Sequence, residues 1–356
     1  MLFALAAAPL LVLLAAAPAP ADAADHLERG QKLFAAGNTA GALAAFDAAV
    51  KADPKDPRGH YLRGVTLEKR KDLAGAEAAY HKAVAAGPGM AEAHNNLGGL
   101  LVAKGDLAGG EKELEAATLA NPLHADAHFN LGLALDRQGR PAEAAASYRR
   151  AVAIRPNDES YHTNLGAALR RIGDLDAALV ELETSVKLAP KSAPAFTNLG
   201  LILSDKKAYD QARAALTTAV KLDPSYILGW TGLGRVESRR HEPAAAVAAL
   251  AQALRLDAKN PTVAADYCRA QVDLDPAADA GPKACRAALG LATDSALARY
   301  MLGKSLVARG DCAAAKTELD RFAALPAVKP EAKAGARTLL ETCTPGKRAS
   351  PPQQRP

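Results

Sequence analysis

The sequence predicts an all-α protein, a solenoid of helix hairpins repeated every 34 residues, on three observations. The triplet Asn-Leu-Gly recurs at Asn96-Leu97-Gly98, Asn130-Leu131-Gly132, Asn164-Leu165-Gly166 and Asn198-Leu199-Gly200, always 34 residues apart. Its glycine extends in both directions at that spacing, as Gly30, Gly64, Gly98, Gly132, Gly166, Gly200 and Gly234. A proline keeps the same step at Pro54, Pro88, Pro122, Pro156, Pro190 and Pro224, each 24 residues after a glycine. Self-similarity at such a period marks stacked supersecondary units that bury one another's apolar faces. No strand-like alternation competes with helical periodicity in the repeat region.

Taken in order, the chain opens with a run from Leu2 to about Ala17 that is almost all Leu, Ala, Val or Phe, followed by the small-x-small stretch Ala21-Asp22-Ala23. This reads as a secretory signal peptide over residues 1–23, cleaved after about Ala23, and places the protein in the periplasm or outside the cell. An uncleaved membrane anchor is the alternative, for which the run is short and broken by Pro9. No Lys or Arg precedes Arg29, so the leader lacks a basic n-region, and no Cys near the site points to a lipid anchor.

The 356 residues are ample for a core that grows repeat by repeat, and the net charge of +5 is modest. Basic pairs such as Lys69-Arg70, Arg149-Arg150, Arg170-Arg171 and Arg239-Arg240 are scattered among Asp and Glu. They read as solvated helix faces, and no nucleic-acid surface is expected.

Within each period the first dozen residues are helical, and the second half is helical again. Between them lies a polar turn, as at Gly37-Asn38, Gly105-Asp106, Gly139-Arg140 and Gly173-Asp174. Gly ends the first helix in a left-handed cap and the Asp or Asn caps the next. The proline then stops the second helix. Glycine inside the first helix costs about 1 kcal/mol relative to Ala. Seven occurrences must therefore be offset by something the fold gains there.

The period and these offsets resemble the tetratricopeptide repeat (TPR) family over roughly residues 23–329. Repeats would begin near Ala23, Pro57, Ala91, Ala125, Glu159, Ala193, Ile227, Pro261 and Ala296, about nine in all, within residues 24–329. The period opening at Ala125 carries the family pattern as His128, Leu131, Gly132, Ala144, Tyr148, Ala151 and Pro156. The resemblance implies a right-handed superhelical α-solenoid with a concave groove. It also implies that the two helices of a hairpin approach most closely at the glycine, with small residues such as Ala144 and Ala151 completing the contact.

At 100° per residue, His128, Leu131, Gly132 and Leu135 share one helix face, and Asp126, Asn130, Leu133 and Arg137 the opposite one. The triplet's Asn therefore points away from its own Leu and Gly, toward the groove that the resemblance implies. Asn96, Asn130, Asn164 and Asn198 would form a ladder there. An amide can pair with both the C=O and the N–H of an extended peptide, while Arg137 and Arg171 could meet acidic groups on it. The bland alternative is that Asn is common at this place in the family and comes with the scaffold.

His60, His94, His128 and His162 make a second row at the same spacing. Consecutive repeats lie about 8–10 Å apart, too far for shared metal bonds of about 2 Å, so no metal site is assigned. Phe196 and Trp230 fill the same position later, which points to an aromatic packing role.

All four cysteines fall in the last two repeats. Cys268 replaces the Gly expected 34 residues after Gly234, and Cys285 lies on the partner segment of that hairpin. Cys312 starts a second helix, and Cys343 ends the apolar stretch of a terminal capping helix over residues 330–343. Three pairings are possible. The repeat register favours Cys268 with Cys285 and Cys312 with Cys343, in keeping with an oxidising compartment; four buried thiols in a reducing one is the alternative. The residues 344–356 are Pro-rich and basic, and disorder is expected there.

No phosphate-cradling loop, zinc spacing or nucleophile elbow occurs, and no stretch of domain size remains for a catalytic module. Neither an enzyme nor a cofactor is expected. The favoured reading is a non-enzymatic protein–protein interaction scaffold of a bacterial cell envelope, holding an extended peptide or partner subunit in its groove during assembly or secretion. The alternative is a structural adaptor of a polysaccharide-export or envelope machine that uses its convex face.

Overall fold

The computed structural model describes residues 21–346. The apolar leader and residues 347–356 of the expected disordered tail therefore lie outside the described residues. Among the described residues the chain is helices joined by turns, with no strand. It divides into two compact units at Glu181–Leu182.

The first unit contains α1 (Ala21–Ala35), α2 (Thr39–Ala52), α3 (Pro57–Lys69), α4 (Leu73–Ala86), α5 (Ala91–Lys104), α6 (Leu107–Ala120), α7 (Ala125–Arg137), α8 (Pro141–Ile154) and α9 (Glu159–Arg171). Helix α10 (Leu175–Leu188) spans the boundary. The second unit continues with α11 (Ala193–Asp205), α12 (Tyr209–Leu222), α13 (Ile227–Arg239), α14 (Pro243–Leu256), α15 (Pro261–Leu274), α16 (Ala280–Leu291), α17 (Ala296–Ala308), α18 (Cys312–Ala324) and α19 (Pro330–Glu341). Each unit is a stack of antiparallel hairpins, an α-solenoid. No helix among the described residues is long and apolar enough to cross a membrane. Among the described residues Ala21-Asp22-Ala23 lies within α1, and Ala23 is buried.

The turn inside each hairpin follows from its residues. Gly37, Gly105, Gly139, Gly173 and Gly310 hold φ of 79°, 95°, 78°, 85° and 74°. Asn38, Asp72 and Asp106 then cap the second helix, each accepting from the backbone N–H three residues on. Arg140 makes no side-chain cap; there Pro141 opens α8, and Arg140 pairs with Glu143. Lys71, Lys207 and His241 occupy the same left-handed position without being glycine.

The glycine row is set by the residue sixteen places later on the partner helix. A β-carbon on Gly132 would come 2.5 Å from the Tyr148 ring, and one on Gly64 2.5 Å from the Tyr80 ring. Phe46 stands against Gly30 and Leu114 against Gly98; in the second unit Leu216, Leu250 and Leu319 stand against Gly200, Gly234 and Gly303. The large residue, rather than the flanking Ala144 and Ala151, thus fills the space the glycine leaves. Full burial of such a side chain yields about 1.5–3 kcal/mol, more than the roughly 1 kcal/mol that a helical Gly costs. At the place of the missing glycine, Cys268 is bonded to Cys285 with Cα atoms 4.7 Å apart, tying α15 to α16. Cys312 is bonded to Cys343 and fastens the end of α19 to the start of α18. Ala336 of α19 packs with Leu319, Phe322 and Val328.

Candidate functional site

In the first unit the odd-numbered helices carry the triplets, and α7 rests on both α6 and α5. Across that seam Asn130 Nδ2 donates to Asn95 Oδ1 at 2.9 Å. Asn95 Nδ2 donates to Asn96 Oδ1 at 3.1 Å, and Asn96 Nδ2 donates to the Tyr80 hydroxyl at 3.3 Å. The Tyr80 O–H donates in turn to Glu68 Oε2 at 2.7 Å. Burial, with the charge of Glu68 beside it, pushes the Tyr80 phenol well above its ordinary value, so it remains a donor. Five side chains thus form a relay from α7 to α3. Asn164 bonds within its own helix, to the Ser160 carbonyl at 2.8 Å. Asn198 is half-buried on α11 in the second unit. The structure therefore joins Asn96 and Asn130 through Asn95, the neighbour that the triplet pattern does not include. The doublet Asn95-Asn96 was the available signal for it.

The two predicted arginines face the preceding repeat. Arg137 Nη1 donates to the Val102 carbonyl at 3.0 Å, and Arg171 Nη1 pairs with Asp136 Oδ1 at 2.7 Å. Burial raises the Asp136 carboxyl above its ordinary value, and Arg171 pulls it partly back. The hydroxyl of Tyr148, buried in the field of Asp136, has no hydrogen-bond partner among the described residues.

Gly99 differs from every glycine of the row. It lies in the interior of α5 beside Gly98, yet a β-carbon there would meet only Asn130 Nδ2, at 4.0 Å. Nothing in the fold requires Gly at this position, while its cost in a helix is about 1 kcal/mol. It leaves open space beside the Asn130 amide. Leu133, one repeat later at the equivalent position, is half-buried.

The histidine row has a polar duty that a purely aromatic role misses. His60, His94, His128 and His162 place Nε2 at 3.0, 3.0, 3.0 and 2.8 Å from the carbonyls of Pro54, Pro88, Pro122 and Pro156. A carbonyl only accepts, so Nε2 carries the proton and each ring staples the turn six residues before it. Trp230 keeps this bond, donating from Nε1 to the Pro224 carbonyl at 2.9 Å; Phe196 has no donor to offer. The opposite nitrogens of His94 and His162 lie 2.7 and 2.6 Å from Glu113 and Glu181. Arg299 joins the same two kinds of partner, the Thr293 carbonyl and Glu318.

Stacked hairpins with a half-polar seam define a repeat scaffold of the protein-interaction class. The chain belongs to the tetratricopeptide repeat family, whose model matches residues 27–91, 74–115, 95–159 and 163–227. Among solved structures, the APC/C hetero-tetramer Cut9-Hcn1 is similar over 79% of this chain and 55% of its own, at 16% identity and a TM-score of 0.59. The pilF protein of Pseudomonas aeruginosa is similar over 61% of this chain and 97% of its own, at 18% identity and a TM-score of 0.53. A tetratricopeptide repeat protein from Parabacteroides merdae covers 69% of this chain and 97% of its own, at 13% identity and a TM-score of 0.52. At these identities the likeness concerns the fold. No curated protein matches the chain.

Proposed function

We propose that this chain is a non-enzymatic protein–protein interaction scaffold of the cell envelope, which holds an extended peptide or a partner segment against the odd-helix face of its first unit. The observation that carries this reading is Gly99: a helix-interior glycine that no neighbour demands, open to the outside beside the Asn130 amide. Glycine at such a place lets another backbone come close. Asn130 gives its N–H to Asn95, and its carbonyl oxygen has no donor among the described residues, so it is oriented to accept from a ligand N–H. The relay behind it holds the amide in one orientation before anything binds, which lowers the ordering cost of association.

An oxidising compartment is supported by two disulfides, Cys268–Cys285 and Cys312–Cys343. Assembly or secretion work in the periplasm is the setting we favour. A photoreactive residue at Leu133, which faces the same seam without belonging to the relay, tests the reading in cells. A discrete adduct is expected; its absence would count against the groove. A second reading, an adaptor that docks through its outer surface, is favoured by Leu119 and Leu123, which are 84% and 76% exposed.

A further inference from the structure

The ninth position of each period lies on the seam of the odd helices, and its chemistry changes along the chain. It is Gln31, Val65, Gly99, Leu133 and Ala167 in the first unit and Leu201 at the start of the second, all uncharged; in the last three periods it becomes Arg235, Arg269 and Lys304. Arg235 Nε donates to Asp266 Oδ2 at 2.6 Å, from α13 to α15. Arg269 Nη2 donates to the other oxygen of the same carboxylate at 3.2 Å. Lys304 reaches back from α17 to Asp273 of α15 at 2.9 Å. These contacts place all three cations along one seam, a repeat apart.

Asp266 stands where the earlier repeats have the triplet's Asn, and its side chain is 7% exposed, against 40% and 31% for Arg235 and Arg269. One nearly buried carboxylate thus orients two guanidinium groups and neutralises one charge. Each guanidinium has five N–H donors. Among the described residues Arg235 spends only Nε, and Arg269 spends only Nη2. The Arg269 Nε is buried without a partner among the described residues and is not open to a ligand, which leaves its remaining Nη donors for one. Two planar forks held in place with donors to spare are suited to an incoming carboxylate, which accepts bidentately. The acidic residue of α13, Glu237, is already paired with Arg240.

We propose that this row binds an extended acidic peptide with a carboxylate side chain at every third residue. The spacing follows from two lengths. Adjacent packed helices are about 8–10 Å apart, and a chain extended as polyproline II advances about 3.1 Å per residue with about three residues per turn, so side chains three apart share a face and span one repeat. The inference rests on the groove reading above and narrows it, since it names the chemistry that the second unit selects.

The test is fluorescence anisotropy with an acetylated, amidated peptide carrying Glu at its first, fourth and seventh positions, against an isomer with the same three Glu side by side. Amidation removes the terminal carboxylate, so side-chain recognition alone is read. The spaced peptide is expected to bind at least about tenfold tighter, which is 1.4 kcal/mol, and Arg235→Gln, Arg269→Gln and Lys304→Gln should each erase much of that preference. Thermal melts show whether the arginine variants fold. Lys304→Gln alters an exposed pair and keeps the test valid if they do not. Equal binding of the isomers, or a preference that survives Lys304→Gln, overturns the proposal. If that happens while Leu133 still gives its adduct, the groove reading stands and the acidic-row inference alone fails.

Discussion

The Tyr148 ring occupies the space that a β-carbon on Gly132 would need, with the nearest ring atom 2.5 Å from that point. The ring is fully buried between the two helices of its hairpin and cannot leave without opening them. Gly132→Leu should therefore destabilise the protein by on the order of 3 kcal/mol, read as a sharp fall in Tm. Gly99→Ala, beside the row's Gly98, should raise stability by about 0.5–1 kcal/mol because nothing stands in the way. Equal effects at the two sites would refute the distinction.

Tyr80 and Tyr148 hold equivalent places with unequal satisfaction. Glu68 accepts from Tyr80, whereas Asp136, one methylene shorter and drawn to Arg171, leaves the Tyr148 hydroxyl unpartnered. Tyr80→Phe should cost about 1.5–3 kcal/mol, the range for a hydrogen bond to a charged group, and Tyr148→Phe should be neutral or stabilising. Asp136→Glu should stabilise by about 1 kcal/mol by supplying the missing acceptor. Chemical denaturation of the three variants checks the set.

Asp136 also has a pH signature. Its carboxyl is raised in the folded state by burial, so its contribution is fully present below the ordinary carboxylate value of 3.8 and is lost as pH rises through the raised one. A Tm-versus-pH profile of Asp136→Asn should lack the decline that this carboxyl produces as pH rises above its ordinary value. An unchanged profile would show that another group produces it.

Lys71, Lys207 and His241 adopt φ of 67°, 63° and 61°, where other hairpins use Gly. A non-glycine residue in the left-handed region costs about 1–2 kcal/mol. Each of Lys71→Gly, Lys207→Gly and His241→Gly should raise Tm, offset in part by the entropy that Gly adds to the unfolded chain. A fall at all three would contradict the strain argument.

The two disulfides differ in reach. Cys268 and Cys285 are fully buried, whereas Cys312 and Cys343 are half-buried near the chain's end. Replacing Cys312 and Cys343 by Ser should cost about 3 kcal/mol and expose the α19 amides to hydrogen exchange, leaving α15 and α16 protected. Intact-mass analysis of protein from its native compartment should show no free thiol. Four free thiols would count against both pairs and against export.

The repeat was legible because the offset of Gly132 and Tyr148 recurs from Gly30 to Gly234 and again at Gly303, and a period imposed by packing is visible without coordinates. The relay was not. Asn130 meets Asn95 across 35 residues, and only the stacking distance decides whether two amides a repeat apart touch. The His row showed its position but not its Pro carbonyl partners, since a ring that packs and a ring that donates have the same periodicity. The contrast of Glu68 with Asp136 turns on one methylene and one neighbouring Arg171, which no pattern in the chain announces. Arg137 and Arg171 are each engaged by the preceding repeat, a contact that the helical angle alone does not reveal.

The central claim is that the open space at Gly99 receives a partner's backbone. Crosslinking from a photoreactive residue at Leu133, in the native chain and in Gly99→Leu, measures this most directly. The account predicts one discrete adduct in the native background that is lost in Gly99→Leu, with a melting temperature no lower than the native one. The same adduct at the same yield in both backgrounds would contradict it.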